Sequence, residues 1–332
     1  MADDRQFDTV AVIVGRDLIG DGLLKLPFVR QLRAVLPTAR ITWITTDGGT
    51  VFAGPLRAVT AALIDEVVEM APIGERLGSL FGPPGFARRF DLLIDTRGRW
   101  RHAVLARRVP HGRFVSAAAR FLLSDVGPGW GYRRPDHIVD RLNDLLALAV
   151  GRRLEPLSGA VALPAEILEL AGRALPPGMV HVGLAPGTST AIKQWPLDRF
   201  VELARLQAAR GRIPAFLLGP DEAGWLPDLA AAVPAARFPL QDDAVWQGRP
   251  LTVERTIAVA TRLAAAVAND SGTSHMIGAA DCPLVSLFGP TQATKLAPRV
   301  SRGVVIEARS FGSSDMTAIP VAAVAEAVDR LV

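Results

Sequence analysis

The chain has 332 residues, 49% of them hydrophobic and 21% charged, a composition that supplies two packed cores and excludes a disordered chain. The formal net charge is +4, and the single cysteine, Cys282, excludes an internal disulfide and fits a reducing cytoplasm. No run of about 18 uncharged apolar residues is present and the charged start, Met1–Arg5, is followed by no apolar signal region, so neither a transmembrane helix nor a secretory leader is expected.

In chain order, Thr9 to Val14 reads as a buried strand, Gly15 to Asp21 as a loop, and Gly22 to Val35 as a helix. Ile41 to Thr45, Val67 to Met70 and Asp91 to Asp95 read as further strands, followed by arginine-rich helical and loop segments. Strands that alternate with helices predict a parallel sheet covered on both faces, a doubly wound α/β domain over residues 1–155. Residues 156–178, rich in Pro, Leu and Ala, read as a linker with one helix. A second α/β domain, 179–332, opens with a strand at His181–Ala185 and a helix at Leu197–Gln207 stopped by Gly211. Ile213–Leu218, Leu263–Ala268 and Leu284–Phe288 are its remaining visible strands, and Val321–Val332 its last helix.

Charge is unevenly spread. Residues 1–155 hold 22 Lys+Arg against 17 Asp+Glu, residues 156–332 hold 15 against 16, and Arg88 to Arg134 alone carries 11 arginines against Asp91, Asp95 and Asp125. Such a field favours an anionic partner. It reads either as solvated surface charge or as a landing surface for an anionic acceptor or membrane headgroups. Nucleic acid is not expected, because few aromatics interleave the arginines and no nucleic-acid module is present.

In doubly wound sheets ligands collect at the carboxyl ends of strands. Four strand-end loops of the second domain are polar or glycine-rich: 186–193, 219–222, 269–275 and 289–294. The densest is Asn269-Asp270-Ser271-Gly272-Thr273-Ser274-His275, where an apolar run turns into a small-residue helix expected at Ser274–Ala280. Ser271, Gly272 and Thr273 would offer N–H and hydroxyl donors and a positive dipole end, a terminus suited to phosphate. Asp270 reads as a helix cap or a ligand contact, and His275 as a satisfied half-buried histidine or a phosphate or sugar contact. Lys193, one of three lysines with Lys25 and Lys295, follows Gly187-Thr188-Ser189-Thr190 and would act as a point charge on a diphosphate, or lie along Trp195 in solvent. Asp21 would take a proton from a hydroxyl, or cap the helix beginning at Gly22. Cys282, among small residues ahead of a strand, reads as packing rather than as a nucleophile. The five histidines show no metal-ligand spacing, so no metal is expected. Gly15, Gly20 and Gly22 do not form a dinucleotide fingerprint, and neither a P-loop nor a nucleophile elbow occurs.

Gly20-Asp21 with Leu26-Pro27, Gly187-Thr188-Ser189 with Lys193-Gln194-Trp195-Pro196, and Asn269 to His275 through Phe288-Gly289-Pro290-Thr291 together resemble the lipopolysaccharide heptosyltransferases, glycosyltransferase family 9. The resemblance implies a GT-B fold of two facing Rossmann-like doubly wound domains, the first binding the acceptor and the second the nucleotide sugar. It implies an inverting, metal-independent transfer of heptose from ADP-heptose to a Kdo or heptose hydroxyl of the lipopolysaccharide inner core, with the donor a substrate and no cofactor. Carried over by position, Asp21 resembles the general base, and Thr188, Ser189, Lys193, Ser271 and Gly272 the diphosphate contacts. Asp270 resembles a contact to the donor sugar or its phosphates, Glu222 the ribose-binding acid, and Leu251 the backbone contact to adenine. The Arg88–Arg134 segment would then meet phosphate and carboxylate groups of an anionic glycolipid, which places the protein in the cytoplasm, peripheral on the inner membrane. The alternatives are a family member using another nucleotide sugar, a GT-B sugar-nucleotide epimerase, and a non-catalytic GT-B binding protein. Arg237 to Pro250 matches no part of the family pattern.

Overall fold

Near-continuous apolar and β-branched runs, the mark of strands covered on both faces, build two separate sheets in the computed structural model, which describes residues 6–73, 86–155, 157 and 159–332. The charged N-terminal pentapeptide and two positions of the expected linker, Pro156 and Ser158, lie outside the described residues. The chain divides into two compact units, Met1–Leu157 and Ser158–Val332.

The first unit holds β1 (Thr9–Val14), β2 (Arg40–Thr45), β3 (Glu66–Val68), β4 (Phe90–Asp95) and β5 (His111–Ser116). All pair in parallel, in the order β3-β2-β1-β4-β5. Helices α1 (Ile19–Val35), α2 (Arg57–Thr60), α3 (Trp100–Ala106) and α4 (Ile138–Val150) accompany them. Ala11, Ile13, Leu93 and Phe114 pack with Ala103 and Ala106 of α3 in one core. The strand β5 was not expected, because its first half is polar. Arg113 is nevertheless buried: Nη1 donates to the Ala149 carbonyl at 2.6 Å and the guanidinium lies 5.5 Å over the Phe7 ring. The helix α1 begins three residues before the expected Gly22 and presses close to the following turn. A Cβ at position 22 would come within 2.3 Å of Val51, so glycine is required there.

The second unit holds β6 (His181–Ala185), β7 (Ile213–Phe216), β8 (Ala265–Asn269), β9 (Leu284–Phe288) and β10 (Gly303–Glu307), again all parallel, in the order β10-β9-β8-β6-β7. Its helices are α5 (Ala165–Ala174), α6 (Leu197–Ala209), α7 (Leu226–Ala232), α8 (Asp243–Trp246), α9 (Val253–Ala260), α10 (Gly272–Ala279), α11 (Ala293–Leu296) and α12 (Val321–Leu331). Trp195, Phe200, Phe216, Val267, Leu287 and Val328 share its core. The edge strand β10 escaped the sequence reading: its apolar run is only Val304 to Ile306, bounded by Gly303 and Glu307, and Val305 faces solvent. Within the stretch read as linker, α5 buries Leu170, Ala171 and Ala174 and packs against α9. Gly211 adopts a left-handed φ of 74° just past α6, as expected of a helix stop. Each sheet reverses its winding once, between β1 and β4 and between β6 and β8, and crevices for ligands open at the carboxyl ends of such pairs.

At the other end of the first sheet Asp91 locks β4 to β1. Its carboxylate accepts the Thr9 N–H at 2.9 Å, the Thr9 hydroxyl at 2.8 Å and the Asp8 N–H at 3.1 Å. Burial pushes this carboxyl up, but those donors and Arg89 outweigh it and hold Asp91 below the usual range. A carboxylate depressed in the folded state contributes stability that is complete above its unfolded value and is lost as pH falls through the folded one. Asp91→Asn is therefore expected to lower stability at neutral pH, with the gap to wild type closing as pH falls below about 3.9. Urea unfolding across a pH series checks this, and a gap independent of pH would remove the ionic component of the lock.

Candidate functional site

The second unit's crevice is organised by one amide. Asn269, the last residue of β8, is fully buried. Its Oδ1 accepts the Trp195 N–H at 3.1 Å and its Nδ2 donates to the Pro186 carbonyl at 2.8 Å. Both ends of the loop that follows β6 are thus tied to the end of β8. Trp195 is buried as well, with Nε1 donating to the Ile319 carbonyl at 3.0 Å and its ring edge-on to Phe200. Between these anchors a short 3₁₀ turn, Ala191–Lys193, aims Lys193 inward. Its Nζ lies 2.9 Å from Asp270 Oδ2, the same oxygen that accepts the Thr291 hydroxyl at 2.8 Å. The Thr188 hydroxyl donates to the Asp270 carbonyl at 3.4 Å. Thr188, Lys193 and Asp270 therefore come together, and Thr291 joins them.

The helix α10 starts two residues after Asp270, earlier than the expected Ser274, so Gly272 and Thr273 form its first turn and Ser271 immediately precedes it. The first-turn N–H groups of a helix have no acceptor within it. Ser274 steadies the terminus by donating its hydroxyl to the Ser271 carbonyl at 2.7 Å. His275 lies half-buried within α10, and Ser189 is exposed in the loop after β6.

Glu222 reaches the same loop from β7. Its Oε2 accepts the Gly219 N–H at 2.8 Å, and its carboxylate occupies the space that a side chain at position 187 would fill. Leu251 is half-buried and placed by a different device. Arg237 pairs with the backbone beside β7, and the loop beyond it folds around Arg255. That buried guanidinium stacks 4.1 Å from the Trp246 ring and donates to the carbonyls of Arg249, at 2.8 Å, and Leu240. Gln241 ties the loop to the end of β7 through Leu218 at 2.9 Å. The Arg237–Pro250 segment is thus an ordered wall ending at Leu251.

In the first unit Asp21 is not in a loop but in the first turn of α1, exposed, with its carboxylate accepting the Leu18 N–H at 3.4 Å. The buried acid nearby is Asp17. It accepts the Trp43 Nε1–H at 2.9 Å and the Thr50 hydroxyl at 3.1 Å, pairs with Lys25, and donates its own N–H to Gly49. This pins the loop before α1 to the loop after β2. At the end of β4, Arg97 bonds Asp95 at 2.7 Å, Thr46 at 3.2 Å and the His102 carbonyl at 3.0 Å. Burial pushes the Asp95 carboxyl above its usual range despite Arg97. Asn269, Thr291, Asp17 and Arg97 carried no assigned role in the sequence. A single polar residue closing an apolar strand, as in Ala265 to Asn269, is the signal that was available for the first.

Part of the arginine-rich segment is structural: Arg88 pairs with Glu66, Arg97 with Asp95, Arg107 with Asp125, and Arg113 is buried. Cys282 is buried, and burial with Asp281 beside it pushes the thiol up to about 12, as packing requires. Among the described residues no three His, Cys, Asp or Glu side chains group as metal ligands, and no helix is long and apolar enough to cross a membrane.

Two doubly wound parallel sheets, one with a helix terminus and a lysine at its winding reversal, define a two-unit Rossmann-like α/β protein. Residues 86–316 match the family model described as glycosyltransferase family 9 (heptosyltransferase). The chain is 30% identical over 306 residues to lipopolysaccharide heptosyltransferase 1 of Pseudomonas aeruginosa, covering 84% of this chain and 78% of that one. It is 26% identical to the protein of the same name from Salmonella typhimurium, covering 84% and 88%. Among solved structures, the family 9 glycosyl transferase from Veillonella parvula superposes with a TM-score of 0.68 at 19% identity, covering 99% of this chain and 98% of that one. E. coli heptosyltransferase WaaC with ADP superposes with a TM-score of 0.67 at 18% identity, covering 98% and 100%. The chain belongs to glycosyltransferase family 9, with the GT-B fold, and is a glycosyltransferase.

Asn269→Ala leaves the Trp195 N–H and the Pro186 carbonyl buried without partners, an expected loss of about 3 kcal/mol in urea unfolding; a loss below about 1 kcal/mol would mean that the loop is held elsewhere. Gly187→Ala places a Cβ 2.4 Å from Glu222 Oε1 and is expected to expel that carboxylate from the Gly219 N–H, which a crystal structure of the variant would reveal.

Proposed function

We propose that the enzyme transfers a heptose from ADP-heptose, with inversion and without a metal ion, to a Kdo or heptose hydroxyl of the lipopolysaccharide inner core. The observation that carries this reading is the Lys193–Asp270 pair at the mouth of α10. As the acceptor oxygen bonds to the anomeric carbon, the bond to the diphosphate breaks and negative charge grows on the leaving ADP. Lys193, the Ser271 hydroxyl and the N–H groups of Gly272 and Thr273 would neutralise it, with Thr188, Ser189 and His275 adding contacts, in the role that metal-free phosphate sites assign to a helix terminus. Asp270 would hold the donor sugar through its remaining acceptor capacity. Glu222 would bind the ribose, and Leu251 the adenine. Asp21, exposed and holding one long hydrogen bond, keeps lone pairs free to take the acceptor's proton.

The names of the curated relatives support heptose and lipopolysaccharide. A glycolipid acceptor is anionic, and the arginine excess of the first unit suits it. Such a substrate places the enzyme at the cytoplasmic face of the inner membrane, as a peripheral protein.

Calorimetric titration with ADP, UDP, GDP and CMP, with and without EDTA, tests the donor: selective ADP binding unaffected by EDTA is expected. Lys193→Ala should weaken ADP about 10- to 100-fold, the worth of a hydrogen bond to a charged group. Asp21→Asn should abolish transfer while leaving ADP affinity unchanged. Preference for another nucleotide would discard ADP-heptose, and equal losses of affinity and rate in Asp21→Asn would discard the base.

A further inference from the structure

Two neighbouring turns of the first unit lie in the arginine-rich segment beyond the internally paired residues. The first, Ala118–Phe121 and the residues after it, leaves Leu122 84% exposed. The second, 128–132, leaves Trp130 fully exposed. The Phe121 and Tyr132 rings meet edge to face at 5.6 Å, which brings the two turns side by side. Large apolar side chains seldom stand wholly in water in adjacent positions without a partner.

The backbone here is also unusual. Ala119, Arg120 and Phe121 take φ values of 49°, 54° and 66°, three consecutive non-glycine residues in the left-handed region. Strain of this kind persists at functional segments. It is held by Phe114 N–H and Arg107 on Asp125, by Arg107 on the Leu123 carbonyl, and by the Tyr132 hydroxyl on Asp144 at 2.8 Å. Those contacts engage the carboxylates of Asp125 and Asp144, whereas Arg120, Arg133 and Arg134 are exposed; of the two exposed acids of residues 118–136, Asp125 is already paired with Arg107, which leaves Asp136.

We propose that these two turns are an interfacial anchor that docks the first unit on an anionic phospholipid bilayer: Trp130 and Leu122 enter the headgroup boundary, and Arg120, Arg133 and Arg134 pair with lipid phosphates. A tryptophan and a leucine on adjoining turns that also carry exposed arginines match that boundary, which is apolar below and anionic above. Three arginines near an anionic leaflet, at about fivefold in partition each, give about 100-fold preference over a neutral one. The inference deepens the membrane-linked acceptor reading above, but its test uses neither donor nor acceptor.

The full-length protein is sedimented with vesicles of phosphatidylethanolamine and phosphatidylglycerol, and with phosphatidylcholine vesicles. Binding to the anionic vesicles is expected, weakened by salt, and at least tenfold weaker in Leu122→Ser/Trp130→Ser. Both residues are exposed, so thermal melts of the variant should match wild type. Arg120→Gln/Arg133→Gln/Arg134→Gln should abolish the anionic preference. Absent binding, binding unchanged in the Leu122/Trp130 variant, or a wild-type dimer that this variant dissolves would each overturn the anchor. Transfer to a water-soluble acceptor fragment should be the same in wild type and in the Leu122/Trp130 variant. Failure of that transfer in both would condemn the proposed reaction and leave the vesicle result standing.

Discussion

The second unit's crevice depends on one buried amide. A parallel sheet leaves its strand-end carbonyls and the loops beyond them without ladder partners, and a buried backbone group left unpaired costs about 1–3 kcal/mol. Asn269 answers this with a donor and an acceptor on one short side chain. It satisfies Pro186 at the start of the loop after β6 and Trp195 at its end. Aspartate would supply no donor, leucine neither partner. Because the loop is fixed at both ends, Lys193 is delivered to a defined place rather than to solvent, and Asp270, the next residue in the chain, lies where Lys193 arrives.

That pair is not explained by stability. Its side chains are 25% and 9% exposed, so both ions are largely desolvated. Their attraction, about 4 kcal/mol at 4 Å and an effective dielectric of 20, is set against a desolvation cost of several kcal/mol per ion. Summed over two ions, the cost is at least as large as the gain. Moreover, a cation beside a helix N-terminus meets a like-signed dipole end, unfavourable by about 0.3–1 kcal/mol. Asp270 offsets this repulsion in the free protein. Two positive features brought together at some cost, with one carboxylate to hold them, form an arrangement that an incoming anion relieves.

The sheets and the polar loops at their ends were legible because burial on both faces writes an unbroken apolar run, as in Thr9–Val14 and Leu284–Phe288, and because glycine and proline punctuate the ends. The strands that stayed hidden were one whose burial relies on something other than an apolar side chain and one with too short an apolar run. Arg113 enters β5 through a carbonyl and an aromatic face. The strand β10 lies at an edge. Helix starts were read too late at both α1 and α10, since Ile19-Gly20-Asp21 and Gly272-Thr273 have weak helix propensity and owe their helical state to tertiary context. The partners of a polar side chain cannot be read from spacing: Asp17 and Asp21 are four residues apart, and only the fold decides that the first is buried against Trp43 while the second faces water.

The same distinction governs the arginines. Counting charge along the chain treats Arg88 to Arg134 as one basic field. The fold separates it into guanidinium groups that hold the protein together and groups that face outward. Arg97, Arg107 and Arg113 each bond a backbone carbonyl: His102 within α3, Leu123 in a loop and Ala149 in the last turn of α4. A guanidinium with five donors in a fixed fork can serve a carbonyl and a carboxylate at once, as Arg107 does with Leu123 and Asp125. A lysine there would keep the charge and lose the geometry. Arginine's abundance over lysine in this segment therefore has two physical sources, and only the outward-facing remainder, Arg120, Arg133 and Arg134 among them, can act on a partner.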